Sequence, residues 1–169
     1  VTLARFLVAA TDRQLLNVVP HIDRAEDMLQ VGFHAELDSV ADRFEVVLSQ
    51  LPDDRIRAML QSAHEQDRFI EAFTFMQFLS DKTLGRVADA TAGMSDEVLT
   101  HMVESVHREN AWAELLPVAE VMSPPNWQRM FDLPVWDAEK LTALGRAAEA
   151  LGRGDDLLEL IVEAGKSLE

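Results

Sequence analysis

Short apolar stripes alternate with polar turns along the chain, and the stripes follow the period of a helix. Val40, Phe44, Val47, Leu48 and Leu51 recur at i, i+4, i+7, i+8 and i+11, one face of a helix. Pro52-Asp53 restart the chain before Ile56, Met59, Leu60 and Ala63. The next stripe, Phe69, Ile70, Phe73, Met76 and Phe78, is denser and more aromatic. Ser80 opens a helix bearing Leu84, Val87 and Ala88, and Gly93 is expected to close it through a positive φ. Ser95 caps a helix carrying Leu99, Met102, Val103 and Val106, and residues 111–121 predict a further one. Ser123 stands before Pro124-Pro125, an N-cap followed by proline where no backbone donor is needed. That helix carries Trp127, Met130 and Phe131, and Pro134 ends it. Asp137 caps Leu141, Leu144, Ala148 and Leu151. Gly152 and Gly154 stop that helix, and Asp155-Asp156 open the last one, their charge at the favoured end of the dipole. Leu157, Leu158, Ile161 and Val162 bury it.

Nearer the N-terminus the punctuation is similar. Residues 1–10 predict a short helix, and Thr11 with Gln14 forms a capping box ahead of Leu15, Leu16, Val18 and Val19. Pro20 ends that helix. A second box, Asp23 to Glu26, leads into Met28, Leu29 and Val31, with Gly32 as a stop. No stretch reads as a strand.

The stripes repeat. In Leu99–Leu116, a shift of 43 upstream sets Met102 on Met59, Ser105 on Ser62, Val106 on Ala63, His107 on His64 and Trp112 on Phe69. A shift of 42 downstream sets Leu99 on Leu141, Met102 on Leu144, Val106 on Ala148 and Leu115-Leu116 on Leu157-Leu158. Such a period predicts stacked helices, because one unit cannot bury its apolar face alone. The expected fold is all-α: a right-handed superhelix, or solenoid, of about four divergent units of 42–43 residues, spanning 1–37, 38–79, 80–122 and 123–169. The first unit aligns least well with the others, as a terminal, capping repeat does.

Composition narrows the function classes. The 30 acidic against 15 basic residues give a net charge of −15. That argues against nucleic acid, whose phosphates need surplus Lys and Arg, and against an anionic membrane surface. A partner would be basic, cationic or apolar; the plainer account of the charge is colloidal solubility. The lack of cysteine excludes disulfides, thiolate chemistry and Cys-ligated zinc, and points to a reducing compartment. No apolar run approaches the ~20 residues that span a bilayer. The apolar patch within Val1–Ala10 is too short and too soon charged for a signal peptide, so a cytoplasmic location is expected.

The unit length and all-helical punctuation resemble those of armadillo and HEAT repeats. The turns Leu51-Pro52-Asp53-Asp54, Leu79-Ser80-Asp81 and Met94-Ser95-Asp96 also resemble those of the cytosolic N-terminal domain of MgtE-type magnesium transporters, over Leu48 to Val121. That likeness implies at most an acidic, magnesium-sensing surface. Transport itself is not implied, for the sequence has no transporter membrane region.

Candidate chemistry is sparse. His21, His64 and His107 lie 43 residues apart, either a ligand-contacting ridge or one helix-edge position inherited through duplication. His101-x-x-Glu104-x-x-His107 would place Glu104 near either histidine, but the two histidines lie well round the helix from each other. Glu104 and His107 are the nearest approach to a metal pair, and no metal site is assigned. His64-Glu65-x-x-Arg68 starts like a zinc-protease helix but lacks its second histidine. The acidic pairs Asp53-Asp54, Asp96-Glu97 and Asp155-Asp156 sit at helix starts, where they suit the dipole and could bind a hard cation weakly. Phe75 and Phe78 cannot share a straight-helix face with Phe69 and Phe73, so one face is expected to form a groove or an oligomer contact. There is no phosphate loop and no nucleophile elbow, and no catalytic residue or cofactor is assigned.

These features suggest a non-enzymatic helical-repeat protein that binds a protein partner or itself through an acidic-rimmed apolar surface. Phe75, Phe78, His64 and His107 are its candidate contact residues. The alternatives are a divalent-cation-sensing regulatory domain and a helical enzyme using carboxylate and histidine side chains.

Overall fold

A computed structural model describes residues 9–18, 21, 38–152 and 155–166. Among the described residues every regular element is a helix. In order they are α1 (Asp12–Val18), α2 (Asp38–Gln50), α3 (Asp53–Glu65), α4 (Phe69–Met76), α5 (Asp81–Ala92), α6 (Asp96–Arg108), α7 (Trp112–Glu120), α8 (Pro124–Phe131), α9 (Ala138–Ala150) and α10 (Asp155–Lys166). The helix predicted over residues 1–10 falls largely outside the described residues. The capping box at Asp23–Glu26 and the stop at Gly32 lie wholly outside them.

Local side chains start the helices where the pattern places them. At α1 the Thr11 N–H donates to Gln14 Oε1 at 2.8 Å, and the Gln14 N–H donates back to Thr11 Oγ1. Ser80 and Ser95 accept from the Thr83 and Val98 N–H groups, and Asp137 accepts from the Lys140 N–H at 2.8 Å. Ser123 takes the same extended N-cap conformation without a side-chain bond, and Pro124 stands at the first helical position, where a missing N–H is harmless.

Two expectations about helix ends need correction. Gly93 has φ −81°, an ordinary helical value, so its glycine character is not what closes α5. The aromatic stripe Phe69–Leu79 is not one helix either. It ends at Met76, the Leu79 N–H bonds the Met76 carbonyl at 3.1 Å, and Ser80 at once caps α5. Phe78 therefore stands in the turn.

Three series of helices recur with near-constant offset. α2, α5 and α8 begin at Asp38, Asp81 and Pro124, 43 residues apart each time. α3, α6 and α9 begin at Asp53, Asp96 and Ala138, and each has 13 residues. α4, α7 and α10 begin at Phe69, Trp112 and Asp155. The residues with positive φ follow the second series: Asp67 (52°), Asn110 (52°) and Gly152 (63°). At the first two, the N–H of this residue bonds the carbonyl three back, and the next N–H bonds the carbonyl five back: Arg68 to Ala63 at 2.9 Å, Ala111 to Val106 at 2.8 Å. This is the Schellman turn, and Asp and Asn tolerate its left-handed residue because their short polar side chains add little crowding.

The core runs through all three series. Met59, Met102 and Leu144 are buried, as are Ala63, Val106 and Ala148, and Phe69 and Trp112. α5 packs on α3, α7 on α4 and α5, α9 on α7, and α10 on α9. Three arginines, also 43 residues apart, tie these layers together. Arg43 on α2 pairs with Asp12 at the start of α1. Arg86 on α5 donates to the carbonyls of Leu48, Ser49 and Leu51 and to Asp53 Oδ1 at 2.9 Å. Arg129 on α8 repeats this with the Met94 carbonyl at 2.7 Å and Asp96 Oδ1 at 3.2 Å.

Candidate functional site

A groove of about 540 Å³ opens between α4 and α7, with the start of α5 along one side. Phe73, Leu79, Leu84, Pro117 and Val121 give it apolar walls, and Asp81, Glu114 and Glu120 bring carboxylates to it. Pro117 sits inside α7 and has no N–H, so the carbonyl of Ala113, which also lines the groove, lacks its helical donor from four residues on. The groove is thus rich in acceptors. The Thr74 hydroxyl, also on its wall, donates inward to the Ile70 carbonyl at 2.9 Å.

Beside the N-terminus of α4 lies a polar cluster that joins α3, α4 and α6. His64 Nδ1 and His101 Nδ1 are 2.7 Å apart. His101 Nε2 lies 2.8 Å from Asp67 Oδ1, and the same carboxylate accepts from Ser105 Oγ at 3.4 Å and Arg108 Nη2 at 3.2 Å. Phe69 packs against the edge of His101, with ring centres 5.3 Å apart, and stacks on Phe73 at 6.2 Å. The hydrogen bond from His101, then that from Arg108, holds the Asp67 carboxyl below its ordinary range; Arg108 is raised by Glu109 first and Asp67 second.

The sequence candidates fall in different places. His64 joins His101, a neighbour that the 43-residue spacing of histidines does not indicate. His107 packs on Trp112 at 6.0 Å, as His64 packs on Phe69 at 6.2 Å, so this aromatic contact recurs. The polar partner of His107 differs: its Nε2 lies 3.5 Å from Glu139 on α9. Nearby, Lys140 holds the Asp137 carboxyl below its ordinary range, with His107 adding a small electrostatic contribution. Glu104 is exposed on α6, and its two histidine neighbours turn instead to Asp67 and Glu139. Phe78 is exposed; its neighbours Gln77 and Leu79 line the groove, and it does not. The side chain of Phe75 lies outside the described residues. His21 is exposed.

The acidic helix starts divide. Asp53 and Asp96 are taken up by Arg86 and Arg129. Among the described residues no group of three or more His, Asp or Glu is arranged to hold a metal ion, and no helix is long and apolar enough to cross a membrane. Asp67 and the three arginines are not among the candidates that the sequence singles out. The arginines had a signal, their 43-residue spacing. Asp67 shares that spacing with Asn110, but its partners come from another helix and leave no mark in the sequence. No protein-family model, no curated protein and no solved structure matches the chain.

Proposed function

We propose that the chain is a non-enzymatic helical-repeat interaction module, and that the groove between α4 and α7 receives a cationic segment of a protein partner. On this reading α2–α4, α5–α7 and α8–α10 are successive three-helix units of a right-handed, HEAT- or armadillo-like stack, and the groove lies between equivalent third helices of neighbouring units. The observation that carries the reading is the lining: apolar walls for the stem of a Lys or Arg side chain, with the carboxylates of Asp81 and Glu114 as acceptors for its head. The net charge of −15 would speed the approach of such a partner.

A fluorescence-polarisation titration tests it, using Lys/Arg-bearing peptides and matched acidic peptides of equal length. Basic peptides should bind and weaken as salt rises, and acidic ones should not bind. Glu114→Lys should lower the affinity by about tenfold, the effect of ~1.4 kcal/mol. Equal binding of both peptide classes, or an unchanged affinity in Glu114→Lys, would sink the proposal.

A further inference from the structure

A neutral imidazole has one N–H and one bare nitrogen, and a cationic one has two N–H groups. Between nitrogens 2.7 Å apart there is room for one hydrogen only. His101 Nε2 faces the Asp67 carboxylate at 2.8 Å and carries a proton there. If His101 is neutral, its Nδ1 is bare and His64 Nδ1–H donates to it. If His101 is cationic, its Nδ1–H donates to a bare His64 Nδ1. The pair therefore accepts one added proton without losing its contact. A second would set two N–H groups head to head and two positive rings with centres 4.8 Å apart.

We infer that His64 and His101 form a proton-counting latch between α3 and α6, closed with up to one positive charge on the pair and opened by the second. The charged groups that neighbour the pair along the chain, on each element that meets there, are Glu65 on α3; Asp67, Arg68 and Glu71 at the turn into α4; and Glu104 and Arg108 on α6. Several are already committed. Arg68 pairs with Glu71, Glu65 accepts from Gln61, and Asp67 is shared by His101 and Arg108. Of the two rings, Asp67 touches only that of His101, so no contact of its own offsets the repulsion between two charged rings. Because Phe69 packs against both rings, opening the latch loosens the N-terminal end of α4.

The sign follows from proton binding. The closed pair holds one proton fewer than two free imidazoles can take, so its contribution is present at higher pH and lost as the second proton binds. The test compares thermal melting of the protein and of His64→Asn, which keeps a short polar group but cannot titrate, at about pH 7.5 and about pH 5.5, either side of the imidazole range. On acidification the native chain should lose roughly 2–4 °C more than the variant, as a change of about 1 kcal/mol does in a chain of this size. An equal or smaller loss would overturn the inference. Imidazole NMR on the native chain tests it without any substitution. The His64–His101 ring contact should survive the first protonation of the pair and vanish with the second. A contact that persists with both Nδ1 atoms protonated, or is lost with the first proton, would also overturn it.

Discussion

Asp67 and Asn110 occupy the same left-handed position, one after α3 and one after α6, within the same Schellman turn. Around Asp67 the next layer supplies His101, Ser105 and Arg108, and the corner closes through hydrogen bonds. Around Asn110 the next layer supplies Trp136, which packs on Trp112 at 5.8 Å, and the ring contacts continue through Phe131 to Trp127. Trp127 and Trp136 donate their indole N–H groups to the Ala119 and Met130 carbonyls. Trp112 Nε1 and His107 Nδ1, by contrast, are buried without a hydrogen-bond partner. One backbone corner thus supports two kinds of joint. The turn needs only a residue that accepts positive φ, and the layer that follows decides whether polar bonding or ring packing holds it.

The largest expected effect probes the aromatic corner. Trp112→Ala should lose about 3–5 kcal/mol in urea unfolding, because it opens a cavity among buried rings. Trp112→Phe should lose far less, within about 1.5 kcal/mol, since it keeps an aromatic ring and removes an unpartnered N–H. If the two variants were equally damaging, ring packing would not be what holds that corner.

Next comes the turn itself. Gly152→Ala puts a side chain on a residue at φ 63° and should lose about 1–2 kcal/mol. Gly93→Ala should be neutral or slightly stabilising, for its φ is ordinary and an added Cβ would meet only carbonyl oxygens at 3.5 Å. Equal melting shifts in the two variants would show that the left-handed conformation is not what distinguishes them.

Smaller effects separate the two corners directly. Asn110→Gly should be neutral or raise the melting temperature, since glycine meets the positive φ freely. Asp67→Gly should lower it, because the carboxylate's three partners are lost. The acid limb gives the finest contrast. A carboxyl held below its ordinary range stabilises the fold above that range, and the contribution disappears as pH falls through the lowered value. Asp67→Asn should therefore lose less stability than the native chain between neutral pH and about pH 3, read as urea midpoints. An identical acid slope in both proteins would mean that the His101 and Arg108 bonds add nothing in solution.

The helices were largely legible in the sequence because their signals are local. The Thr11, Ser80, Ser95 and Asp137 caps act within one turn, and the stripe positions Met59, Met102 and Leu144 are buried as their period implies. The Leu99–Leu116 comparison also identified the corresponding residues of α3, α6 and α9. What escaped depends on contacts between layers. His64 pairs with His101 because of how α3 and α6 meet, and a spacing of 37 residues carries no periodic mark. Of the three left-handed turns, only Gly152 carries a glycine that marks it as a stop; Asp67 and Asn110 do so without one, and the glycine at Gly93 ends α5 with an ordinary φ. A groove or an oligomer contact is expected beside Phe75 and Phe78. Among the described residues Phe73 and Leu79 line a groove and Phe78 does not, because α4 ends at Met76 and leaves Phe78 in the turn; the side chain of Phe75 lies outside the described residues.

The arginine contacts have a mechanical consequence. A connection between two short helices is the natural place for such a pair to pivot. Arg86 grips the carbonyls on one side of the connection between α2 and α3 and the first carboxylate on the other, and Arg129 does the same between α5 and α6. A pivot at either point must break both grips together. Each arginine reaches backward, so the stiffness of a connection is set by a helix that follows it in the chain. Bending is thereby governed in one direction: loosening α8 would free the connection between α5 and α6, whereas loosening α5 would leave that grip's donor in place.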